Sequence, residues 1–192
     1  MKKYNIIEIF YSIQSEGFYT GTPVIFIRFF GCNLQCSFCD EKDKINYNEY
    51  EIKDIIFELE KYKCKNVVLT GGEPSLQIDR NLLEELQKRK YKIFVETNGF
   101  KKLPLNSAYY NWITVSPKTN IINQKFCNEI KIVYNGQTKD EIEEIVSKVN
   151  KCLVYLQPES NKKEYVDKAI KLLEDRKGWQ LSIQWHKLIG VK

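Results

Sequence analysis

Four apolar runs in this chain end in the same manner. "NVVL" leads into "TGGEP", "IFV" into "ETNG", "WITV" into "SPK" and "LVYL" into "QPES". Each run is short, rich in β-branched or aromatic residues, and bounded by turn formers, which is the signature of a strand. Between and around them lie helical patterns. Ile52, Ile55, Ile56 and Leu59 share one face of "NEYEIKDIIFELEKYK", and Ile142, Ile145, Val146 and Val149 share one face of "KDEIEEIVSKVN". "DRNLLEELQKRK" and "KEYVDKAIKLLEDR" read as two further helices. Strands alternating with helices predict an α/β fold, a mostly parallel sheet with right-handed crossovers. In such sheets the C-terminal strand ends carry the site, so the four polar tips belong to one constellation.

Adding the strand-like runs "YNIIEIF", "PVIFIRFF", "EIKIVY" and "WQLSIQW" gives about six β/α units, short of the eight of a complete barrel. A partial barrel or an open α/β sheet fits that number. No linker or repeat interrupts residues 1–192, which are expected to form a single domain. The first residues, "MKKYNIIEIFYSIQSEG", have an apolar run broken by Glu8, Gln14 and Glu16, and read as a strand rather than a signal peptide. No apolar run is long enough for a transmembrane helix, and a cytoplasmic protein is expected. The net charge of +5 is modest and its lysines are scattered, so neither nucleic-acid nor membrane binding has a motif behind it. A mild positive balance suits small anionic ligands.

The stretch "GCNLQCSFCDEK" places Cys32, Cys36 and Cys39 in a C-x3-C-x2-C spacing directly after a predicted strand. Cys64, Cys127 and Cys152 lie apart from them and read as small buried apolar residues rather than half-cystines. Structural zinc is closed by four ligands, and no second knuckle is present; the one histidine, His186, is near the other terminus. Three thiolates suit a [4Fe–4S] cluster with one iron left for a small molecule.

With Phe38 before the third cysteine and "TGGEP" after the next strand, this pattern resembles the radical S-adenosylmethionine (SAM) enzymes. The resemblance implies a partial TIM-like barrel, a cluster held by Cys32, Cys36 and Cys39, and SAM chelated at the open iron. In that superfamily reductive cleavage of SAM yields a radical that abstracts a substrate hydrogen, with an external electron donor such as flavodoxin or ferredoxin. The residues so implied at SAM are Phe38, Cys39, Asp40, Gly72, Glu73, Ser116, Pro117, Lys118, Gln157, Pro158, Glu159 and Ser160.

The flanks are more specific. "EIFYSIQSEGFYTGTPVIFIRFFGCNLQCSFCD", "VVLTGGEP", "VETNG", "VSPK", "YLQP" and "LSIQWHKLIGVK" together resemble the 7-carboxy-7-deazaguanine synthases along the whole chain. That resemblance implies ring contraction of 6-carboxy-5,6,7,8-tetrahydropterin with loss of ammonia, on the 7-deazapurine route to queuosine, with magnesium support and a homodimer. Ile13, Gln14, Ser15 and Glu16 are then expected to read the pterin edge by hydrogen bonds. Arg28 pairs the substrate carboxylate as a bidentate fork. Thr70, His186 and the carboxylate of Lys192 complete the pocket.

Two positions depart from the family. Ser15 stands where a glycine is common. Glu41 stands where a threonine ligates magnesium, and as a hard oxygen donor it is expected to hold the ion instead. Two other readings stay open at this level: an activating enzyme for a glycyl-radical protein, which shares the cysteines and "GGEP", and a non-catalytic metal or nucleic-acid binding module.

Overall fold

The computed structural model describes residues 2–39 and 46–192. A nine-stranded sheet runs in the order β3-β1-β2-β4-β5-β6-β7-β8-β9, with β3 and β9 at its edges, so the barrel is partial and does not close. Its strands are β1 (Tyr4–Ile13), β2 (Pro23–Phe29), β3 (Asn48–Tyr50), β4 (Asn66–Gly71), β5 (Lys92–Thr97), β6 (Trp112–Val115), β7 (Glu129–Tyr134), β8 (Leu153–Pro158) and β9 (Trp179–Leu181). From β2 to β9 all neighbours are parallel, whereas β1 is antiparallel to both β2 and β3. Helices α1 (Ile52–Glu60), α2 (Arg80–Lys88), α3 (Lys139–Ser147) and α4 (Lys163–Glu174) form crossovers, and α5 (Trp185–Ile189) follows the last strand.

Three local departures from the sequence expectations have physical causes. The expected helix from Asn48 begins at Ile52, because Asn48–Tyr50 pair with Tyr4–Ile6 of β1. The expected last strand stops at Leu181, and Trp185 opens α5 instead. The links from β5 to β6 and from β6 to β7 contain no α-helix, only a 3-10 turn at Ser107–Tyr109 and irregular chain. The helices that do form are capped as sequence rules anticipate. Asp79 accepts from the Leu82 amide at 3.0 Å, and Glu141 accepts from the Thr138 amide at 2.7 Å.

Strand alternation sorts side chains between two faces. Ile25, Ile27, Val67, Leu69, Ile93, Val95, Ile113, Val115, Ile130 and Ile132 pack in the main core with Leu59, Leu82, Leu86, Ile142 and Ala169 of the helices. The concave face bears a smaller apolar layer of Phe10, Val24, Phe26, Val68 and Phe94, with Tyr19 and Trp112 against it.

A bulge decides what β1 contributes. Ile6 pairs with Phe29 and belongs to the main core, but the register slips between Ile6 and Glu8, so that Glu8 faces Arg28 and Phe10 faces Phe26. One extra residue swaps the faces of everything beyond it. Phe10 thereby joins the concave layer, and Glu8 stands over the interior beside Arg28.

Cys127 and Cys152, which lie apart in sequence, precede the parallel strands β7 and β8, and their sulfurs come within 3.5 Å. Cys127 is buried, as expected, while Cys64 and Cys152 are only partly so. Among the described residues no helix is long and apolar enough to cross a membrane.

Candidate active site

One pleat above the concave apolar layer, in the C-terminal direction of the parallel strands, the side chains turn polar. Arg28 is in register with Thr70, Glu96 with Thr114, and Thr114 with Glu129. Arg28, Thr70 and Glu96 of this row line the floor of a cavity of about 530 Å³ whose rim is the strand tips, with Thr114 and Glu129 beside it.

The floor is tied together by short contacts. The Glu96 carboxylate accepts from Gln14 Nε2 and from Thr70 Oγ1, each at 3.0 Å. Lys131 forms an ion pair with Glu16, and Gln184 donates to the other Glu16 oxygen at 3.1 Å. Glu129 accepts from Thr114 Oγ1 at 2.9 Å and from the Phe18 amide at 3.0 Å.

Gln14 and Glu16 reach these partners because loop 14–22 does not lie outside the sheet as an ordinary hairpin connection. Its ends are joined by Gln14 N–H to Thr22 O at 2.8 Å, and Phe18 stacks on Trp112 while Tyr19 meets Phe94 edge-on. The loop therefore spans from β1 to β7, where the Phe18 amide meets Glu129, with Gln14 and Ser15 buried and Phe18, Thr20 and Gly21 facing outward. Contact of the half-buried Tyr19 and the stacked Phe18 ring with Phe94 and Trp112, at the edge of the apolar layer, is what holds it there.

Charge in the floor follows from this arrangement. Burial by itself raises the Glu16 carboxyl, but the Lys131 charge and the hydrogen bonds from Lys131 and Gln184 outweigh it and hold it well below the usual range. Burial opposes the charge on Lys131, yet Glu16, Glu96 and Glu129 together keep it protonated above the ordinary lysine value. Burial raises Glu129 despite Lys131. Nearer the rim, burial first and the Lys131 charge second pull Lys118 down to about 8, against the pull of Glu16, Cys36 and Glu96.

The rim begins with the cysteine loop. Cys32, Cys36, Phe38 and Cys39 all face the cavity. The loop is docked on the glycine pair: the Gly72 amide donates to Phe29 O at 2.9 Å, and the Glu73 amide to Gly31 O at 2.8 Å. A Cβ on Gly72 would lie 2.1 Å from Gly31 O, so no other residue permits this backbone approach. Gly72 also lines the cavity, as expected.

Glu73 is fully buried and does not line the cavity. Its carboxylate accepts from Ser75 N at 3.0 Å, Thr97 Oγ1 at 2.6 Å and Asn98 N at 2.7 Å, which ties the glycine turn to the tip of β5. Asn98 in turn donates to Asn33 Oδ1 at 3.0 Å, inside the cysteine loop.

Across the mouth, Ser116 and Lys118 follow β6, and Lys118 Nζ donates to Ser116 Oγ at 2.6 Å. Gln157, Pro158, Glu159 and Ser160 follow β8 and line the same cavity. The last wall is the C-terminal segment. Asn161 pairs with both backbone groups of Gln184 at 3.0 Å each, and α5 then brings His186 to the cavity. Gly190, at φ +69°, ends α5 in the left-handed region and turns Val191 and Lys192 back over β1. There Lys192 O accepts from Ser12 Oγ at 2.8 Å and its ammonium pairs with Glu8. Glu8 also takes Arg28 Nε at 2.9 Å, which fixes the guanidinium on the floor.

Of the residues anticipated from sequence, the cavity gathers Gln14, Ser15, Glu16, Arg28, Cys32, Cys36, Phe38, Cys39, Thr70, Gly72, Ser116, Lys118, Gln157, Pro158, Glu159, Ser160, His186 and Lys192. Ile13, Glu73 and Pro117 are not among its lining residues. Asp40 and Glu41 lie outside the described residues. Glu96, Lys131, Gln184 and Asn98 are site residues that the sequence reading missed. Glu96 and Asn98 sit in the quoted tip "ETNG", and Lys131 is a lone cation in the apolar run "EIKIVY", the same signal that singled out Arg28.

The thiols fit an iron–sulfur cluster by donor chemistry. Burial raises the Cys36 thiol, as do the charges of Cys39 and Cys32, against Lys118. Burial likewise raises Cys32, with Glu73 and Cys39 adding to it and the Leu34 amide opposing. Thiols held neutral chiefly by burial, as Cys32 and Cys36 are, are ones that a bound cationic centre would stabilise as thiolates. Among the described residues no three His, Cys, Asp or Glu side chains converge on a single ion position. Thiolates on a cubane bind different irons and need not converge so closely.

The radical SAM superfamily model matches residues 26–151. Along its full length the chain is 40% identical to the 7-carboxy-7-deazaguanine synthase of Bacteroides thetaiotaomicron, covering all of both proteins. The chain belongs to the 7-carboxy-7-deazaguanine synthase family. It is also 36% identical to the Haemophilus influenzae enzyme of that name, over 98% of this chain and 94% of that protein. The crystal structure of QueE from Escherichia coli superposes with a TM-score of 0.81 at 27% identity, covering 95% of this chain and 94% of the other. Membership of this radical SAM family implies SAM and a [4Fe–4S] cluster, and the cysteine loop at the cavity rim supplies the thiols for it.

Proposed function

We propose that this chain is a 7-carboxy-7-deazaguanine synthase, contracting the ring of 6-carboxy-5,6,7,8-tetrahydropterin with loss of ammonia. The observation that carries this reading is the meeting, in one cavity, of the thiol loop and a charged floor suited to a flat, polar heterocycle bearing a carboxylate. The cluster and SAM, when bound, supply abstraction of a hydrogen atom from the substrate ring and its return.

Cys32, Cys36 and Cys39 would hold the cluster. Phe38, Ser116, Lys118 and the tip Gln157–Ser160 would surround SAM, and Glu73 supports that side from beneath by fixing the glycine turn. On the floor, Arg28, braced by Glu8, is the cation for the substrate carboxylate. Glu96 and Glu16 are acceptors for ring N–H and amino groups, and Gln14 and Thr70 hold Glu96 in place. Because the loop 14–22 and the C-terminal segment wall the cavity, a substrate held there is shielded from water.

Magnesium support, with Glu41 as a ligand, and a homodimer belong to this proposal, as does reduction by an external donor such as flavodoxin or ferredoxin. The site we assign is a cytosolic one.

The test is anaerobic reconstitution followed by incubation with SAM, reductant and the tetrahydropterin, with and without magnesium. Mass detection of 7-carboxy-7-deazaguanine supports the assignment. 5′-Deoxyadenosine without that product retains the radical chemistry and overturns the substrate, leaving activation of a glycyl-radical protein as the reading to pursue. Light scattering of the purified protein decides the dimer.

A further inference from the structure

Ser15 and His186 are far apart in sequence, yet Ser15 Oγ lies 2.7 Å from His186 Nδ1. Ser15 is 7% exposed, and among the described residues its hydroxyl has no other hydrogen-bond partner. Its carbonyl also accepts from the Trp185 amide at 3.2 Å, so both ends of Ser15 grip the start of α5. A buried hydroxyl left without an acceptor for its proton is costly, while an acceptor lone pair is more easily left over. With Nδ1 as the sole partner, the hydroxyl must donate to it.

We propose that Ser15 is a positioning residue that fixes the neutral His186 ring as the Nε2–H tautomer and thereby makes it a hydrogen-bond donor to an acceptor atom of the bound substrate. Without Ser15 the ring has a competing preference. Glu16 Oε1 stands 3.9 Å from the same Nδ1 and, being anionic, draws a proton to that nitrogen. Ser15 sets the opposite tautomer by donating to Nδ1 directly, which leaves the far edge of the imidazole protonated. Among the described residues Glu16 is the one carboxylate within 4 Å of a His186 ring nitrogen. Glu96 and Glu159, which also line the cavity, are taken up by Gln14 and Thr70 and by Lys162, and Lys131, Lys118 and Lys187 are cationic. The consequence for the substrate rests on the function proposed above, whereas the tautomer does not.

The chain has one histidine, so a single imidazole is observed without assignment. In the full-length protein labelled with 15N-histidine, long-range proton–nitrogen correlation at mildly alkaline pH reads which ring nitrogen carries the proton. The expected result is Nε2–H in the wild type, a shift of population toward Nδ1–H in Ser15→Ala, and retention of Nε2–H in Ser15→Thr, which keeps the hydroxyl. Steady-state kinetics are expected to give a KM for the tetrahydropterin raised about fivefold in Ser15→Ala, as for one lost hydrogen bond, with kcat changed less. A wild-type ring protonated at Nδ1, or a Ser15→Ala spectrum identical to the wild type, overturns the proposal. If the spectra behave as expected but no deazaguanine forms in any variant, the positioning stands and the substrate reading falls.

Discussion

Along the rim of the cavity, Cys32, Cys36 and Cys39 come from one short stretch, whereas the floor draws Glu16, Arg28, Thr70, Glu96, Lys131 and Gln184 from six separate parts of the chain. The rim is held largely by backbone: the Gly72 and Glu73 amides clasp the strand end and Gly31. The floor is held by side chains that neutralise and satisfy one another inside the barrel. A backbone-built rim tolerates side-chain exchange but no added Cβ at its contact points. A floor built from buried charges fails when any one partner is removed.

The largest effect separating the two regions is expected at the thiols. Replacing Cys32, Cys36 or Cys39 by Ser should abolish product formation and the cluster's visible absorbance, while Cys64→Ser leaves iron content unchanged. These losses should come with little change in thermal stability of the cluster-free protein, because Cys32 is exposed and the other two only partly buried.

The floor should behave in the opposite manner. Lys131→Met strands the Glu16 carboxylate in the interior and should lower unfolding free energy by about 3–5 kcal/mol in urea melts. Adding Glu16→Gln should recover much of that loss. If Lys131→Met is as stable as wild type, the floor is not held by charge pairing.

A smaller effect is expected where rim and glycine turn touch. Gly72→Ala should cost about 1–3 kcal/mol, by the usual cost of overpacking, and reduce cluster loading, since the new methyl meets backbone rather than a side chain able to move.

The smallest is a pH effect. The folded Glu16 carboxyl is held below its unfolded value, so the stabilisation from its pairing is fully present above about pH 4.3 and is lost as the pH falls through the folded value. Stability measured across the acid range should therefore fall less steeply in Glu16→Gln than in wild type.

The same contrast explains what was legible in advance. The rim motifs "CNLQCSFC", "TGGEP", "SPK" and "QPES" are contiguous, and their position after strands follows from periodicity alone. Arg28 was visible because a charge inside "VIFIRFF" needs a buried partner, and Glu8 is one such partner. Lys131 carries the same signal in "EIKIVY", but nothing local names Glu16 as its counter-ion. The reading of "GGE" anticipated a Glu73 facing the cofactor. Its carboxylate instead stitches the glycine turn to β5, a partnership set by the parallel pairing of β4 with β5.

By itself, the sequence determined the α/β alternation, the edge on which the site lies, and the thiol chemistry of that edge, because each is written in residues close together along the chain. Tertiary structure alone decided the floor. A single bulge in β1 sets Glu8 and Phe10 inward, aromatic packing holds loop 14–22 across from β1 to β7, and the turn at Gly190 folds Lys192 over β1. Those outcomes depend on which distant surfaces are buried against each other, and burial is a property of the whole packed chain rather than of any window in it.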